Sequence, residues 1–217
     1  TSPLGAKVAH AYGVLCEQTL TGFKYIGDKI AQALKNNGPV FQMGYEESYG
    51  YLFNKEVRDK DGVQSVLLIC EMAAYYKNIG KNLIEVFDAL QQKLGYHVES
   101  QYSYKVSGSE GVKEIQQLME NLRKANYAII ANEKVVTVED YSSLTAKTND
   151  QVYPLHYEQS NVLRYLFDDG SFIAIRPSGT EPKCKFYFAF CGKTQKEAQE
   201  RHDKMKEFIL SEIKNGL

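Results

Sequence analysis

Residues 174–190 read AIRPSGTEPKCKFYFAF. The stretch opens apolar, breaks into Arg176-Pro177-Ser178-Gly179-Thr180-Glu181-Pro182, and resumes as an alternation. Cys184, Phe186, Phe188 and Phe190 fall on one face of that alternation; Lys183, Lys185 and Tyr187 fall on the other. A period of two marks a half-buried strand. Upstream, residues 162–167 and 171–175 also read as strands, and Asp168-Asp169-Gly170 between them is a hairpin signal. Residues 134–138 add another strand, and Tyr102, Tyr104 and Val106 alternate as a short one.

Two helical stripes flank these strands. One carries Val112, Ile115, Leu118, Met119 and Leu122, with Ser107 and Glu110 spaced as a capping box before it. The other starts near Thr194, where Thr194 and Glu197 form a second capping box. It presents Ala198, Met205, Phe208, Ile209 and Ile213, and Gly216 follows its end. The second half of the chain therefore reads as α+β, an antiparallel sheet covered by helices.

The first half reads differently. Phe23, Ile26, Ile30, Ala33 and Leu34 make one helical face, stopped by Asn37-Gly38-Pro39. Residues 40–43 suit a short buried strand, and residues 44–50 a loop. A helix over 62–78 puts Val63, Val66, Leu67, Cys70, Ala73 and Ala74 inward. A third, over 81–94, aligns Leu83, Ile84, Phe87, Leu90 and Leu94. Strand and helices in this order fit part of a three-layer α/β domain. With 217 residues, two domains are comfortable. The expected division is 1–100 and 101–217, with the crossing inside 95–108.

Composition narrows the function classes. Apolar residues are 43% and charged residues 24%, the balance of an ordinary globular protein. A net charge of −1 gives no global attraction to nucleic acid or an anionic membrane, so any anion site must be local. The longest apolar run, residues 66–70, is too short to span a bilayer. No signal peptide is legible at the start. The four cysteines form no Cys-x-x-Cys pair and have no histidine at ligand spacing, so reduced thiols in a cytoplasmic protein are expected. His10, His97, His156 and His202 share no motif and read as structural or surface residues. The start, Thr1-Ser2-Pro3-Leu4-Gly5, lacks an initiator Met and suggests a fragment or a processed chain.

Four segments carry residues suited to chemistry. In the loop after residue 175, Arg176 offers a planar fork of donors, Ser178 and Thr180 offer hydroxyls, and Gly179 lets backbone N–H groups approach. Pro177 and Pro182 stiffen it, and Lys183 and Lys185 add charge. The same composition also suits a plain surface turn. Gly44-Tyr45-Glu46-Glu47-Ser48-Tyr49-Gly50 could read vicinal hydroxyls, because a carboxylate accepts two hydrogen bonds and Ser donates or accepts; a solvated acidic loop is the other reading. Thr21-Gly22 precedes a helix, either as an N-cap or as open N–H groups with Lys24 beside them. In Arg58-Asp59-Lys60-Asp61-Gly62, Lys60 is either a proton carrier and sugar contact or a solvated side chain.

Together and in this order, Thr-Leu-Thr-Gly-Phe-Lys (19–24), Gly-Tyr-Glu-Glu-Ser-Tyr-Gly (44–50), Arg-Asp-Lys-Asp-Gly (58–62) and Arg-Pro-Ser-Gly-Thr-Glu-Pro-Lys (176–183) resemble the α-D-phosphohexomutase superfamily. The chain is similar to the third and fourth domains of its bacterial phosphoglucomutase/phosphomannomutase branch. The resemblance implies a four-domain enzyme in which a serine of the first domain carries the transferred phosphate. An Asp-rich loop of the second domain would hold magnesium. Neither loop occurs in this sequence, so the N-terminal domains are expected as partners and the isolated chain is expected to be inactive.

The resemblance further implies roles for individual residues. Thr21, Gly22, Glu46, Ser48 and Lys60 would bind the sugar. Lys60 and Lys24 would be the proton carriers, since Phe23 stands where some relatives have a His. Arg176, Ser178, Gly179, Thr180 and Lys185 would hold the phosphate that is not being transferred. The implied reaction interconverts glucose 1-phosphate and glucose 6-phosphate, with glucose 1,6-bisphosphate as intermediate. Phosphomannomutase, phosphopentomutase and a stand-alone phosphosugar-binding module remain alternatives. A third domain without its opening strand and helix would expose an edge, which predicts either self-association or a marginally stable first half.

Overall fold

The computed structural model describes residues 2–47, 49–108, 110–179 and 181–214. The chain divides into two compact units, Thr1–Leu94 and Gly95–Leu217. The expected boundary at 100 falls inside a strand of the second unit, Tyr96–Lys105.

The first unit contains α1 (Pro3–Ala11), α2 (Phe23–Lys35), a minimal ladder of β1 (Gly44–Tyr45) and β2 (Tyr51–Leu52), α3 (Gly62–Asn78) and α4 (Leu83–Leu94). Helix starts have visible causes. Asp61 caps α3, its Oδ1 accepting from the N–H groups of Val63 (2.9 Å) and Gln64 (3.2 Å). Before α4, the Glu85 carboxylate accepts from the Asn82 N–H at 2.9 Å and Asn82 Oδ1 accepts from the Glu85 N–H at 3.0 Å. That is a reciprocal capping box spelled Asn-x-x-Glu, which the sequence reading missed. Phe23, Ile30 and Leu52 form a small core, with Ile26 and Phe41 against it. Helix α2 lies so close to the loop before α3 that a Cβ on Gly27 would come 2.5 Å from the Arg58 carbonyl oxygen.

Two expectations for this unit need correction. Residues 40–43 are not a strand: they join no ladder, and Val40 and Met43 are exposed. A short apolar run becomes a strand only where neighbours supply hydrogen-bond partners, and none flanks it among the described residues. The stripe of α3 is not inward either, for Val63 is 83% exposed, Val66 65% and Leu67 64%. Periodicity shows that a stripe is apolar; it does not show that a second layer covers it.

The second unit is built on a seven-stranded antiparallel sheet. In chain order the unit holds β3 (Tyr96–Lys105), α5 (Gly111–Ala125), a small separate hairpin of β4 (Ile129–Ile130) and β5 (Glu133–Lys134), then β6 (Thr137–Asp140), β7 (Thr145–Thr148), β8 (Gln151–Pro154), β9 (Leu163–Leu166), β10 (Phe172–Pro177), β11 (Lys183–Gly192) and α6 (Gln195–Lys214). Spatial order in the sheet is β3-β11-β10-β9-β6-β7-β8. The expected hairpin at 168–170 forms, with the Phe167 N–H donating to the Ser171 carbonyl at 2.9 Å.

The inner face of β11 is buried as expected, but the strand is not half-buried along its length: on the other face Tyr187 and Ala189 are buried as well. Cys184, Phe186, Phe188 and Phe190 are at most 1% exposed and pack with Ile173 and Ile175 of β10 under Leu118, Met119 and Leu122 of α5 and Met205 and Ile209 of α6. Burial pushes the Cys184 thiol up to about 12, so it stays protonated. The Thr194–Glu197 box also forms: the Glu197 N–H donates to Thr194 Oγ1 at 3.1 Å, and the Glu197 carboxylate accepts from the Lys193 N–H at 2.8 Å. The box expected at Ser107 and Glu110 does not form, because Glu110 itself is the N-cap and makes no side-chain cap bond. Its carboxylate instead pairs with Lys113 at 2.8 Å. Gly216 lies outside the described residues.

Behind the sheet, on the face turned from α5 and α6, Phe172, Tyr187 and Ala189 form a second small cluster. The Arg164 guanidinium stacks 4.5 Å over the Phe172 ring. This face carries the loop-proximal cations described below.

Candidate sugar and phosphate sites

Three of the four segments lie in the first unit and one in the second. Ser48 and Thr180 lie outside the described residues.

In the first unit Glu46 and Lys60 meet. The β1–β2 turn is held by the Glu46 N–H donating to the Gly50 carbonyl at 2.9 Å. The strand end is tied to the next loop by the Asp61 N–H donating to the Tyr51 carbonyl at 2.8 Å. These two backbone bonds bring residues 14 apart in sequence together, and Lys60 Nζ donates to Glu46 Oε1 at 2.9 Å. The Glu46 side chain is 11% exposed, whereas that of Lys60 is 55% exposed. The hydrogen bond from Lys60 to Glu46, then the charge of that carboxylate, keep the ammonium protonated to higher pH than an ordinary lysine. Neither side chain has another hydrogen-bond partner among the described residues.

Thr21 and Gly22 stand at the start of α2. Gly22 is the N-cap, with φ 129° and ψ 124°, and makes no side-chain cap bond. Thr21 is therefore not the cap its type suggests; the Tyr25 N–H donates to the Gly22 carbonyl at 3.1 Å. Gly22 is needed for the backbone, since that φ is open to glycine and strained for other residues. The next residue, Phe23, is buried in the core. Lys24 is exposed and its Nζ lies 4.5 Å over the ring of Tyr25; no ion pair joins it to Glu46.

In the second unit the site rests on cross-strand register. Arg176 of β10 pairs with Lys185 of β11, which pairs with Ser103 of β3. Directly opposed residues share a face, so two cations occupy one row of the sheet. The neighbouring row is Ala174, Tyr187 and Gln101. Arg176 Nη2 donates to Tyr187 Oη at 3.5 Å, and Lys185 Nζ donates to Gln101 Oε1 at 3.4 Å. The Nε of Arg176 is buried and has no hydrogen-bond partner among the described residues.

Two hydrogen bonds at Ser178 tie the loop across its base. The Ser178 N–H donates to the Lys183 carbonyl at 2.8 Å, and Ser178 Oγ accepts from the Glu181 N–H at 3.3 Å. Lys183 is paired with Glu181, whereas neither Arg176 nor Lys185 has an ion pair among the described residues. A Cβ added to Gly179 would meet nothing within 4 Å. Gly179 is thus at an open rim.

Tyr187 and Gln101 were not among the residues expected to form this site. Tyr187 was legible, two residues beyond Lys185 on the same strand face. Gln101 was not, because it reaches the site through the β3–β11 pairing. Among the described residues no group of three or more His, Cys, Asp or Glu is placed so that it could hold a metal ion. No described helix is long and apolar enough to cross a membrane.

Comparison with known proteins agrees with this partition. Residues 1–94 match the model for phosphoglucomutase/phosphomannomutase, alpha/beta/alpha domain III, and residues 105–207 match the model for phosphoglucomutase/phosphomannomutase, C-terminal domain. The chain is 39% identical over 188 residues to the phosphoglucomutase of Staphylococcus haemolyticus (strain JCSC1435), covering 86% of this chain and 34% of that protein. It is 39% identical over 189 residues to the phosphoglucomutase of Staphylococcus aureus (strain N315), again 86% and 34%. The chain thus spans about a third of the length of the curated relatives it matches. Among solved structures it resembles the open form of the exocytosis-sensitive phosphoprotein pp63/parafusin from Paramecium, with a TM-score of 0.63 over 95% of this chain and 37% of that one; at 23% identity the likeness is one of fold. The chain belongs to the phosphoglucomutase/phosphomannomutase family, and its two units correspond to that family's third and C-terminal domains.

Proposed function

We propose that the chain is the sugar-reading and phosphate-anchoring part of a phosphoglucomutase. In this reading the first unit, Thr1–Leu94, binds the sugar and the second, Gly95–Leu217, binds a phosphate. The observation that carries it is the Arg176–Lys185 row with its unpartnered buried Nε. A buried N–H donor without an acceptor costs on the order of 1–3 kcal/mol, and a phosphate oxygen would supply the acceptor.

The full enzyme would interconvert glucose 1-phosphate and glucose 6-phosphate by two phosphoryl transfers. A phosphoserine elsewhere in the protein would give its phosphoryl group to the free sugar hydroxyl and form the 1,6-bisphosphate. The intermediate would turn over, and the other phosphoryl group would return to the serine. Arg176, Ser178, Gly179, Thr180 and Lys185 would hold whichever phosphate is not reacting, because a site that reads charge and tetrahedral shape accepts both. Glu46 and Ser48 would accept and donate to paired sugar hydroxyls, with Thr21 and Gly22 beside them. Lys60, held protonated by Glu46, suits a donor to a sugar or phosphate oxygen better than a base at neutral pH. Lys24 would be the alternative proton carrier. Magnesium would sit in the other domains, and a cytoplasmic location follows from the substrates.

The test uses both lengths of protein. Inorganic phosphate and glucose 6-phosphate should bind the 217-residue chain and lose at least about tenfold in affinity on Arg176→Ala. The chain alone should not convert glucose 1-phosphate, while the full-length enzyme should. Unchanged binding by the Arg176→Ala chain, or robust turnover by the chain alone, would overturn the proposal.

A further inference from the structure

Gly50 closes the β1–β2 turn, and its backbone φ lies outside the left-handed region, so alanine is conformationally open to it. Space, not backbone geometry, demands glycine there. A Cβ at this position would lie 2.6 Å from Glu46 Oε1, 2.8 Å from Lys60 Cδ and 2.9 Å from Glu46 Cγ. All three atoms belong to the two side chains of the ion pair, and none is backbone. The volume of one methyl group is therefore the volume in which Glu46 and Lys60 meet.

We propose that Gly50 is a positioning residue for the sugar site: its missing side chain holds the Glu46 carboxylate and the Lys60 ammonium at hydrogen-bonding distance and in fixed directions. This deepens, and rests on, the reading of Glu46 and Lys60 as substrate contacts. Glu46 is the anchored partner, since its side chain is almost covered and its own N–H is bonded to the Gly50 carbonyl. Lys60 arrives on a loop from the other side and has no second hydrogen-bond partner among the described residues. An added methyl group would push the flexible lysine away and turn the carboxylate, while the turn bond between residues 46 and 50 stays available. A carboxylate reads two adjacent hydroxyls only when its plane is fixed, so the displacement acts on orientation more than on charge.

The experiment is a double-mutant cycle in the full-length enzyme with Gly50→Ala and Lys60→Met, and Glu46→Gln as the reference for the site. Gly50→Ala should lower kcat/KM by about tenfold to a hundredfold, the scale of a misplaced contact. The double variant should lose no more than the worse single variant, because both remove one pairing. A second readout uses the 217-residue chain with 13C-methylated lysines. The Lys60 signal should titrate at lower pH in the Gly50→Ala chain, as it does for a lysine that has lost its carboxylate. Unchanged kcat/KM, multiplicative losses in the cycle, or an unshifted Lys60 titration would overturn the inference while the sugar site stands. Full activity of both Glu46→Gln and Lys60→Met would overturn the sugar-site reading and this inference with it.

Discussion

Arg176 of β10 and Lys185 of β11 stand directly opposite one another across an antiparallel ladder. Like charges in that relationship cost about 0.2–1 kcal/mol relative to neutral pairs. A bound phosphate converts the cost into attraction, so the two states respond in opposite directions to the loss of one charge. Lys185→Met should leave the ligand-free second unit as stable or slightly more stable, by a few tenths of a kcal/mol, and should weaken phosphate binding several-fold. Thermal melts with and without phosphate read both effects on one sample. A variant that loses ligand-free stability and keeps its phosphate affinity would show that Lys185 serves the sheet and not the anion.

Tyr187 tests how the guanidinium is aimed. Its ring is 8% exposed and packs with Phe172 and Ala189, while its hydroxyl accepts from Arg176 at 3.5 Å. Tyr187→Phe keeps the ring and removes the hydroxyl that accepts from Arg176. Phosphate affinity should drop about two- to fivefold, with stability changed by less than about 1 kcal/mol. Tyr187→Ala would instead cost about 3–5 kcal/mol by analogy with other buried aromatic deletions, and so would not separate aim from packing. Isothermal titration of the Phe variant with phosphate measures the effect.

How much of this was readable beforehand depends on where each feature's cause lies. The buried face of β11 was legible because alternation and hydrophobicity are both local, and Phe186, Phe188 and Phe190 lie where the period puts them. The Thr194–Glu197 box is legible for the same reason, while the Asn82–Glu85 box, with Asn in place of Ser or Thr, is the less distinctive spelling. Strands β7 and β8 are too short for an alternation to stand out: Ala146 is the one buried residue of β7, and Gln151–Pro154 is exposed throughout. The pairing of Glu46 with Lys60 could not be read at all. It depends on two backbone bonds that fold residue 61 onto residue 51 and residue 46 onto residue 50. The apolar stripe of α3 shows the converse limit, a strong periodic signal that carries no information about what covers it.

The acid response of the second unit should centre on Asp169. Burial alone would raise its carboxyl, but hydrogen bonds from Arg201, the Ser171 N–H and the Cys191 thiol outweigh burial and hold it at about 2. Arg201 reaches Asp169 Oδ2 at 2.5 Å and holds Glu133 with Nε (2.8 Å) and Nη2 (2.6 Å), joining the turn before β10 to α6 and to β5. A carboxyl depressed on folding stabilises the native state above the unfolded value of 3.8, and that contribution drains away as pH falls toward 2. For a partly exposed group this amounts to roughly 1–2 kcal/mol. Asp169→Asn should therefore melt lower than the parent protein at pH 7, and the gap should close by pH 2. Arg201→Met should cost more at pH 7, about 2–4 kcal/mol, because it leaves both carboxylates without their guanidinium partner. Urea melts from pH 2 to pH 7 decide the point; a gap for Asp169→Asn that is constant with pH would remove the ionic explanation.

The two units should not melt together. Among the described residues the first has three buried apolar residues in its core cluster, Phe23, Ile30 and Leu52, whereas the second has seventeen in one cluster that joins the sheet to α5 and α6. The first unit also leaves Val63 at 83%, Ile84 at 73% and Val66 at 65% exposure, so the apolar residues it does possess contribute little burial. Its short ladder pairs Gly44 with Leu52 and Tyr45 with Tyr51 and adds little cooperativity. Calorimetry of the 217-residue chain should show two transitions, the lower one belonging to residues 1–94. Limited proteolysis should cut that unit first and leave a resistant core beginning near Tyr96. A lower transition that rises with protein concentration would report association of copies through the exposed stripe, and Val66→Ser should then return it to the dilute value. A single transition, or equal protease resistance in both units, would mean that the exposed stripe does not weaken the first unit.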